Sequence, residues 1–298
     1  MKEEAVLFGQ ARSLVGIITD PTEGQERNRF PAVMLLNSGI VHRVGLNRLH
    51  VKIARDLARK GFVVMRFDFS GIGDSQARED SLPFQKSAVS ETQEAMSYLV
   101  ATRGVERFVV IGICSGAAIS LNTAFCDSRV AGVIAVNNRF YLQGLDEQSS
   151  TALKNRALAR HYWRIAFSSS FSAKNWLKAV TGKVDYRSLA TVLALRCRSL
   201  FAPGEKKYSG ANSFMTGLRL LAERAVRVLL IHCEGDEGLD YLHEILGHEE
   251  QKESASRLFE LEIIPGANHT FTPLWSQDLL RQLVRDWLQQ IVQEGVCS

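Results

Sequence analysis

Three residue types that together could move an acyl group stand far apart in this chain, each in a suggestive local setting. Gly112-Ile113-Cys114-Ser115-Gly116 directly follows the apolar run Phe108–Ile111 and precedes a helical pattern. Small residues two before and two after the centre permit a sharp strand-to-helix turn that lifts the central side chain out of a sheet. Taking Ser115 as the centre would put Ile113 where the turn needs a glycine, so the central residue is Cys114. A thiol at a helix N-terminus is favoured as thiolate by the dipole and the unpaired amides, most of all beside an imidazolium. Gly266-Ala267-Asn268-His269-Thr270 offers that imidazole, His269, in a loop after the last strand-like run. The preceding run, Val226–His232, leads into Cys233-Glu234-Gly235-Asp236, where Asp236 is the first choice for an orienting carboxylate and Glu234 and Asp240 are the alternatives. Nucleophile, base and orienting acid in that relation suit covalent acyl chemistry. The competing reading of Cys114 is a small buried hydrophobe, as free cysteines often are.

Such residues need elements to hold them at one edge of a sheet. Short runs rich in Val, Ile and Leu alternate with helical patterns, which argues for a mainly parallel sheet covered on both faces. The sequence predicts strands at Ala5–Phe8, Leu14–Thr19, Ala32–Asn37, Phe62–Phe67, Phe108–Gly112, Gly132–Asn137, Val226–His232 and Leu258–Ile264, the first two as an antiparallel edge hairpin. Helices are predicted at Leu46–Lys60, Phe84–Thr102, Ser115–Phe125, Leu239–Leu246 and Pro273–Val292, the last capped by Thr272 with Pro273 in its first turn. Residues 139–207 break the alternation and read as a helical insert rich in aromatic and basic residues, between core segments 1–138 and 208–298.

Composition narrows the function classes. With 298 residues and 46% apolar content the chain can bury a large core, and no apolar run reaches the roughly 20 residues a bilayer span requires. The acidic start, Met1-Lys2-Glu3-Glu4, does not suit a secretory signal, so a cytoplasmic location is expected. Five cysteines without CxxC spacing and seven histidines without HxxxH spacing suggest neither a disulfide framework nor a metal centre, and no cofactor motif is present. The mild net charge of +4 hides an uneven distribution: thirteen Lys/Arg face four Asp/Glu between Arg139 and Lys207. That basic segment is either a solvated face or a surface for an anionic substrate group or acidic protein, and it lacks nucleic-acid-binding signatures.

The order Cys114, Asp236, His269 in a strand–turn–helix context resembles the α/β-hydrolase superfamily, over almost the whole chain. Arg66-Phe67-Asp68-Phe69-Ser70-Gly71-Ile72-Gly73-Asp74-Ser75 is similar to the family's turn after its fourth strand, with Ser70 where an Arg is usual. Leu36-Asn37-Ser38-Gly39-Ile40 resembles the loop after the third strand that binds the oxyanion, with Ser38 in place of the usual His. The resemblance implies an eight-stranded α/β-hydrolase fold with a lid over 139–207. It also implies that the N–H groups of Ile40 and Ser115, with Gly39 as the alternative to Ile40, hold the developing oxyanion.

Family members with cysteine at this place are diverse, including dienelactone hydrolases, polyhydroxyalkanoate synthases and aminoacyl shuttles between carrier proteins. The resemblance therefore implies hydrolysis of a thioester or ester through an acyl-cysteine. An alternative is acyl or aminoacyl transfer between carrier-protein or CoA thiols, with the basic segment receiving phosphopantetheine or an acidic acyl or peptidyl carrier protein. A third possibility is a non-catalytic binding module on the same fold.

Overall fold

A computed structural model describes residues 1–22, 30–139, 209–246 and 258–295. Its eight strands are β1 (Lys2–Phe8), β2 (Leu14–Asp20), β3 (Ala32–Leu36), β4 (Val64–Phe67), β5 (Phe108–Ile113), β6 (Val130–Val136), β7 (Arg227–Cys233) and β8 (Glu260–Ile264). They form one sheet in the order β1-β2-β4-β3-β5-β6-β7-β8. β1 and β2 pair antiparallel, as the edge hairpin requires, β2 meets β4 antiparallel, and all remaining pairs are parallel.

The continuous apolar strands are explained by a core on each face. Met34, Leu36, Met65, Phe67, Val110, Ala135 and Leu230 point to one side; Val33, Leu35, Val64, Ile111, Ile134 and Ile231 point to the other. This is the two-residue alternation of a strand with both faces covered. The first face is covered by α2 (Phe84–Arg103), α3 (Ser115–Cys126) and α4 (Ser209–Glu223), the second by α1 (Leu49–Arg59) and α6 (Leu274–Gln293). α5 (Glu237–Leu246) follows β7.

Strand ends shift by two or three residues, β1 starting at Lys2, β4 at Val64, β6 at Val130 and β8 at Glu260, and the helices differ from the sequence expectations more. The predicted helix from Leu46 begins as a separate 3-10 turn at Leu46–Arg48, because Asn47 and Arg48 have positive φ, and the α-helix runs only from Leu49. Thr272 does not cap α6: Pro273 occupies the cap with extended backbone, and the Thr272 hydroxyl instead lies 3.0 Å from that of Thr270. α4 has no counterpart among the predicted helices. The insert predicted for 139–207 lies, apart from Arg139, outside the described residues.

Candidate active site

The C-terminal ends of β3, β5, β6, β7 and β8 lie side by side, and the predicted residues sit on the loops that leave them. At the end of β5 the chain turns through Cys114, which has φ 57° and ψ −116° and stands at the N-terminus of α3. Cys114 is held there by its N–H donating to the Val136 carbonyl at 2.8 Å. The flanking glycines are sterically necessary. A Cβ on Gly112 would lie 2.0 Å from the Gly116 carbonyl oxygen, and one on Gly116 would lie 2.5 Å from that of Asn37. These contacts are with backbone, which cannot swing aside.

Loops after β7 and β8 bring the other two residues to this point. Asp236 is fully buried, with Oδ1 accepting the Gly238 N–H at 2.8 Å and Oδ2 in a short contact with His269 Nδ1. His269 and the Cys114 thiol stand close enough to perturb each other's ionisation. Residues separated by more than 150 positions are thus brought to one place at the sheet edge. The alternatives are placed elsewhere: Glu234 accepts the Gly266 N–H at 3.2 Å, and Asp240 lies within α5.

The electrostatics follow from these contacts. For His269, the hydrogen bonds to Asp236 and Cys114 outweigh burial and raise its pKa to about 9. Burial opposes ionisation of Asp236, but contact with His232, the His269 partner and the charge of Arg139 win and hold the carboxyl well below its ordinary range. Burial likewise disfavours the Cys114 thiolate, yet His269, the Ser115 N–H and Arg139 together bring the thiol below its usual value. The combination favours a thiolate–imidazolium pair.

The predicted oxyanion loop crosses above the elbow. Ile40 is 92% exposed, whereas Gly39, with φ 56°, donates its N–H to the Ser115 hydroxyl at 2.7 Å. That bond occupies the Gly39 donor. The loop is clamped from below by Asp68, whose Oδ1 accepts the Arg43 N–H at 2.5 Å and the Asn37 amide at 3.3 Å. The Arg43 guanidinium grips Asp68 Oδ2 and reaches Asp74 at 2.6 Å.

Several residues at the site escaped the sequence reading. Arg139 approaches Asp236 at 3.5 Å and Glu237 at 3.6 Å, and fully buried His232 faces Asp236 Oδ1 at 3.7 Å. Asn137 and Cys233 join β6 and β7 to the His269 loop. The available signal was the polar run Asn137-Asn138-Arg139 at the end of an apolar strand, where polar side chains must find buried partners.

A model of the alpha/beta hydrolase family matches residues 40–282. The chain belongs to that family. A search of curated proteins returns no match. Solved structures share the hydrolase fold at low identity. An alpha-beta serine hydrolase homologue from Coxiella burnetii is 17% identical with TM-score 0.53, over 96% of this chain and 97% of that one. Est1E from Butyrivibrio proteoclasticus is 12% identical with TM-score 0.56, over 97% and 99%. The thioesterase domain from the curacin biosynthetic pathway is 12% identical with TM-score 0.54, over 95% and 99%. Among the described residues of this family member, no cluster of His, Cys, Asp and Glu could hold a metal ion, and no helix is long and apolar enough to cross a membrane.

Proposed function

We propose that this hydrolase cleaves a thioester or ester through an acyl intermediate on Cys114, with His269 as acid and base and Asp236 orienting the ring. The observation that supports the reading is buried Asp236 in contact with the His269 ring, beside the elbow thiol of Cys114 whose ionisation that ring favours. Cys114 Sγ attacks the carbonyl carbon as thiolate, and the oxyanion that forms is met by the N–H groups of Ser115 and Ile40. The proton on His269 then passes to the departing thiol or alcohol. Water gives a proton to the same ring as it attacks the acyl-cysteine, and collapse of that second oxyanion releases the acid and regenerates the thiolate–imidazolium pair.

Cysteine at the elbow also favours a second reading, transfer to another thiol. An acyl group on serine is an oxygen ester, and moving it onward to a thiol runs uphill. On Cys114 it remains a thioester, so uptake from one thiol and delivery to another are both close to neutral. A donor carried on CoA or on the phosphopantetheine of an acidic carrier protein would suit the basic stretch that begins at Arg139.

The test is to incubate the protein with an acyl-thioester and look for the acyl mass increment on Cys114, absent in Cys114→Ala. Failure to form an adduct with any thioester or activated ester overturns both readings. Adding a competing thiol, alcohol or amine separates them, because product partitions to the acceptor in a transferase and stays with water in a hydrolase. Iodoacetamide should alkylate Cys114 well below the pKa of roughly 8.5 typical of a free thiol. Ordinary thiol reactivity would point to a non-catalytic binding module.

A further inference from the structure

We propose that Asn137 is a positioning residue, whose side-chain amide ties the ends of β6 and β7 to the loop carrying His269 and thereby sets the imidazole between Cys114 and Asp236. This rests on the triad reading above but concerns a residue outside the triad. Asn137 is the first residue after β6, fully buried, and adopts the left-handed conformation with φ 48°. Its N–H donates to the Ile231 carbonyl at 2.8 Å, which fixes its backbone against β7.

The side chain then uses both ends. Oδ1 accepts the Cys233 N–H at 2.8 Å, and Nδ2 donates to the His269 carbonyl at 2.9 Å and to Cys233 Sγ at 3.3 Å. The orientation of the amide is forced, since the flipped arrangement would set Oδ1 against the His269 carbonyl and Nδ2 against the Cys233 N–H. Cys233 completes the latch by donating its thiol proton to the Asn268 carbonyl at 3.1 Å. It keeps that proton, because burial pushes its pKa up to about 11. Two consecutive carbonyls of the histidine loop are therefore held by side chains at the sheet edge.

A ring that must meet Cys114 on one side and Asp236 on the other tolerates little displacement: an error of about 1 Å in such an arrangement can cost on the order of 100-fold in rate. Three groups charge the surroundings of the ring, namely Cys114 on the elbow, Asp236 after β7 and Arg139 after β6. None of them is substituted in Asn137→Gly, which adds no charge, so in that variant an altered Cys114–His269 pair reports the position of the loop; in Asn137→Asp the added carboxylate contributes as well.

The experiment compares Asn137→Gly and Asn137→Asp in the full chain. Glycine accepts the left-handed backbone without strain and removes the latch; aspartate keeps the acceptor for Cys233 but loses the donor to His269. Both variants should lower kcat for an acyl-thioester by about 10- to 100-fold with little change in KM. The pH midpoint for iodoacetamide alkylation of Cys114 should move up toward ~8.5 as the imidazolium drifts away. Cys233→Ser, which preserves a donor to Asn268, should fall between wild type and Asn137→Gly in both measurements. An unchanged alkylation midpoint in both Asn137 variants overturns the assignment, as does a rate loss accounted for by the unfolded fraction seen in circular dichroism. Should wild-type protein never acylate while the alkylation midpoint still shifts in the variants, the proposed reaction is lost and the positioning role is supported.

Discussion

Cys114 and His269 meet across the site, but they are held by different means. On the cysteine side the geometry is imposed by backbone: Gly112 and Gly116 lie so close to carbonyl oxygens that no side chain fits, and Cys114 itself sits at φ 57°. On the histidine side the loop also bends, with Gly266 and Phe271 at positive φ, but its placement against the sheet rests on side-chain hydrogen bonds through Asn137, Cys233 and Asp236. Backbone sterics have no graded failure, whereas a side-chain network loses one bond at a time. The elbow should therefore break with the fold, and the histidine side should lose chemistry while the fold survives.

Gly112→Ala gives the largest effect and tests the first half of that contrast. A methyl group 2.0 Å from the Gly116 carbonyl oxygen must force the turn open. Overpacking of this kind costs about 1–3 kcal/mol and sometimes more. For a chain of this size each kcal/mol lowers Tm by roughly 2–4 °C. Acylation of Cys114 should disappear and Tm should drop together. A variant that melts early but still alkylates at low pH would show that the elbow is not what fixes the thiolate.

Asp236→Asn tests the other half. Losing the carboxylate that orients and charges the ring should reduce acylation by on the order of 10²–10⁴-fold. The His269 pKa should fall from about 9 toward its ordinary ~6.5, and the alkylation midpoint of Cys114 should rise. Stability carries a second signature. Because the folded-state pKa of His269 is raised, its pairing contributes fully below pH ~6.5 and is lost as pH climbs through about 9. The lowered pKa of Cys114 contributes stability with rising pH over the same range and offsets that loss, so the wild-type Tm should change less across the window than the His269 shift alone implies.

The same contrast explains what was legible in the sequence. The elbow could be read because glycine is a local requirement: Gly112-Ile113-Cys114-Ser115-Gly116 states its own turn. The strands could be read because burial on both faces demands uninterrupted Val, Ile and Leu, although β4 starts at Val64 rather than Phe62, with the Val63 carbonyl already accepting the Val33 N–H of β3 at 2.8 Å. His269 and Asp236 were reachable through their position after predicted strands, though the competing acids could be separated from Asp236 only by the structure, which pairs Glu234 with Gly266 and sets Asp240 within α5. For Asn137 the polar run after an apolar strand signalled burial but not a role, and Cys233 carried no signal. Their roles depend on a pairing across 96 residues and on a neighbour another 35 further along, and nothing local distinguishes a latch from a satisfied buried amide.

Arg43→Lys should have a smaller effect and separate the oxyanion loop from the ion pair. The guanidinium fork joins Asp68 and Asp74 while the Arg43 N–H also binds Asp68, so lysine keeps the charge but bridges only one carboxylate. Losing one charge-assisted bond, about 1.5 kcal/mol, corresponds to roughly a tenfold fall in kcat if the loop's grip on the oxyanion loosens in proportion. The alkylation midpoint of Cys114 should not move, because Arg43 touches neither Cys114 nor His269. A shifted midpoint would mean that the loop and the thiolate are coupled through Ser115, whose hydroxyl accepts the Gly39 N–H.

The smallest effect should come from His50, which packs beneath the same loop yet far from the chemistry. Its ring lies against Gly45, it is fully buried, and among the described residues its Nδ1 has no hydrogen-bond partner. Burial, with the charge of Arg66 adding to it, lowers its pKa to about 4. A histidine kept neutral in the fold but free to protonate when unfolded contributes its stability above pH ~6.5, and loses it as the pH falls from there to about 4. His50→Gln removes that titration, so its Tm should decline less steeply than wild type between pH 6.5 and 4 even if it starts lower at pH 7. Acylation measured at pH 7 on the folded protein should stay within about twofold of wild type, as for a change outside the reacting groups. If the variant instead loses activity at pH 7 with Tm unchanged, the loop is set by packing at Gly45 as well as by the clamp at Asp68, and the cysteine side is less purely a matter of backbone than the elbow glycines suggest.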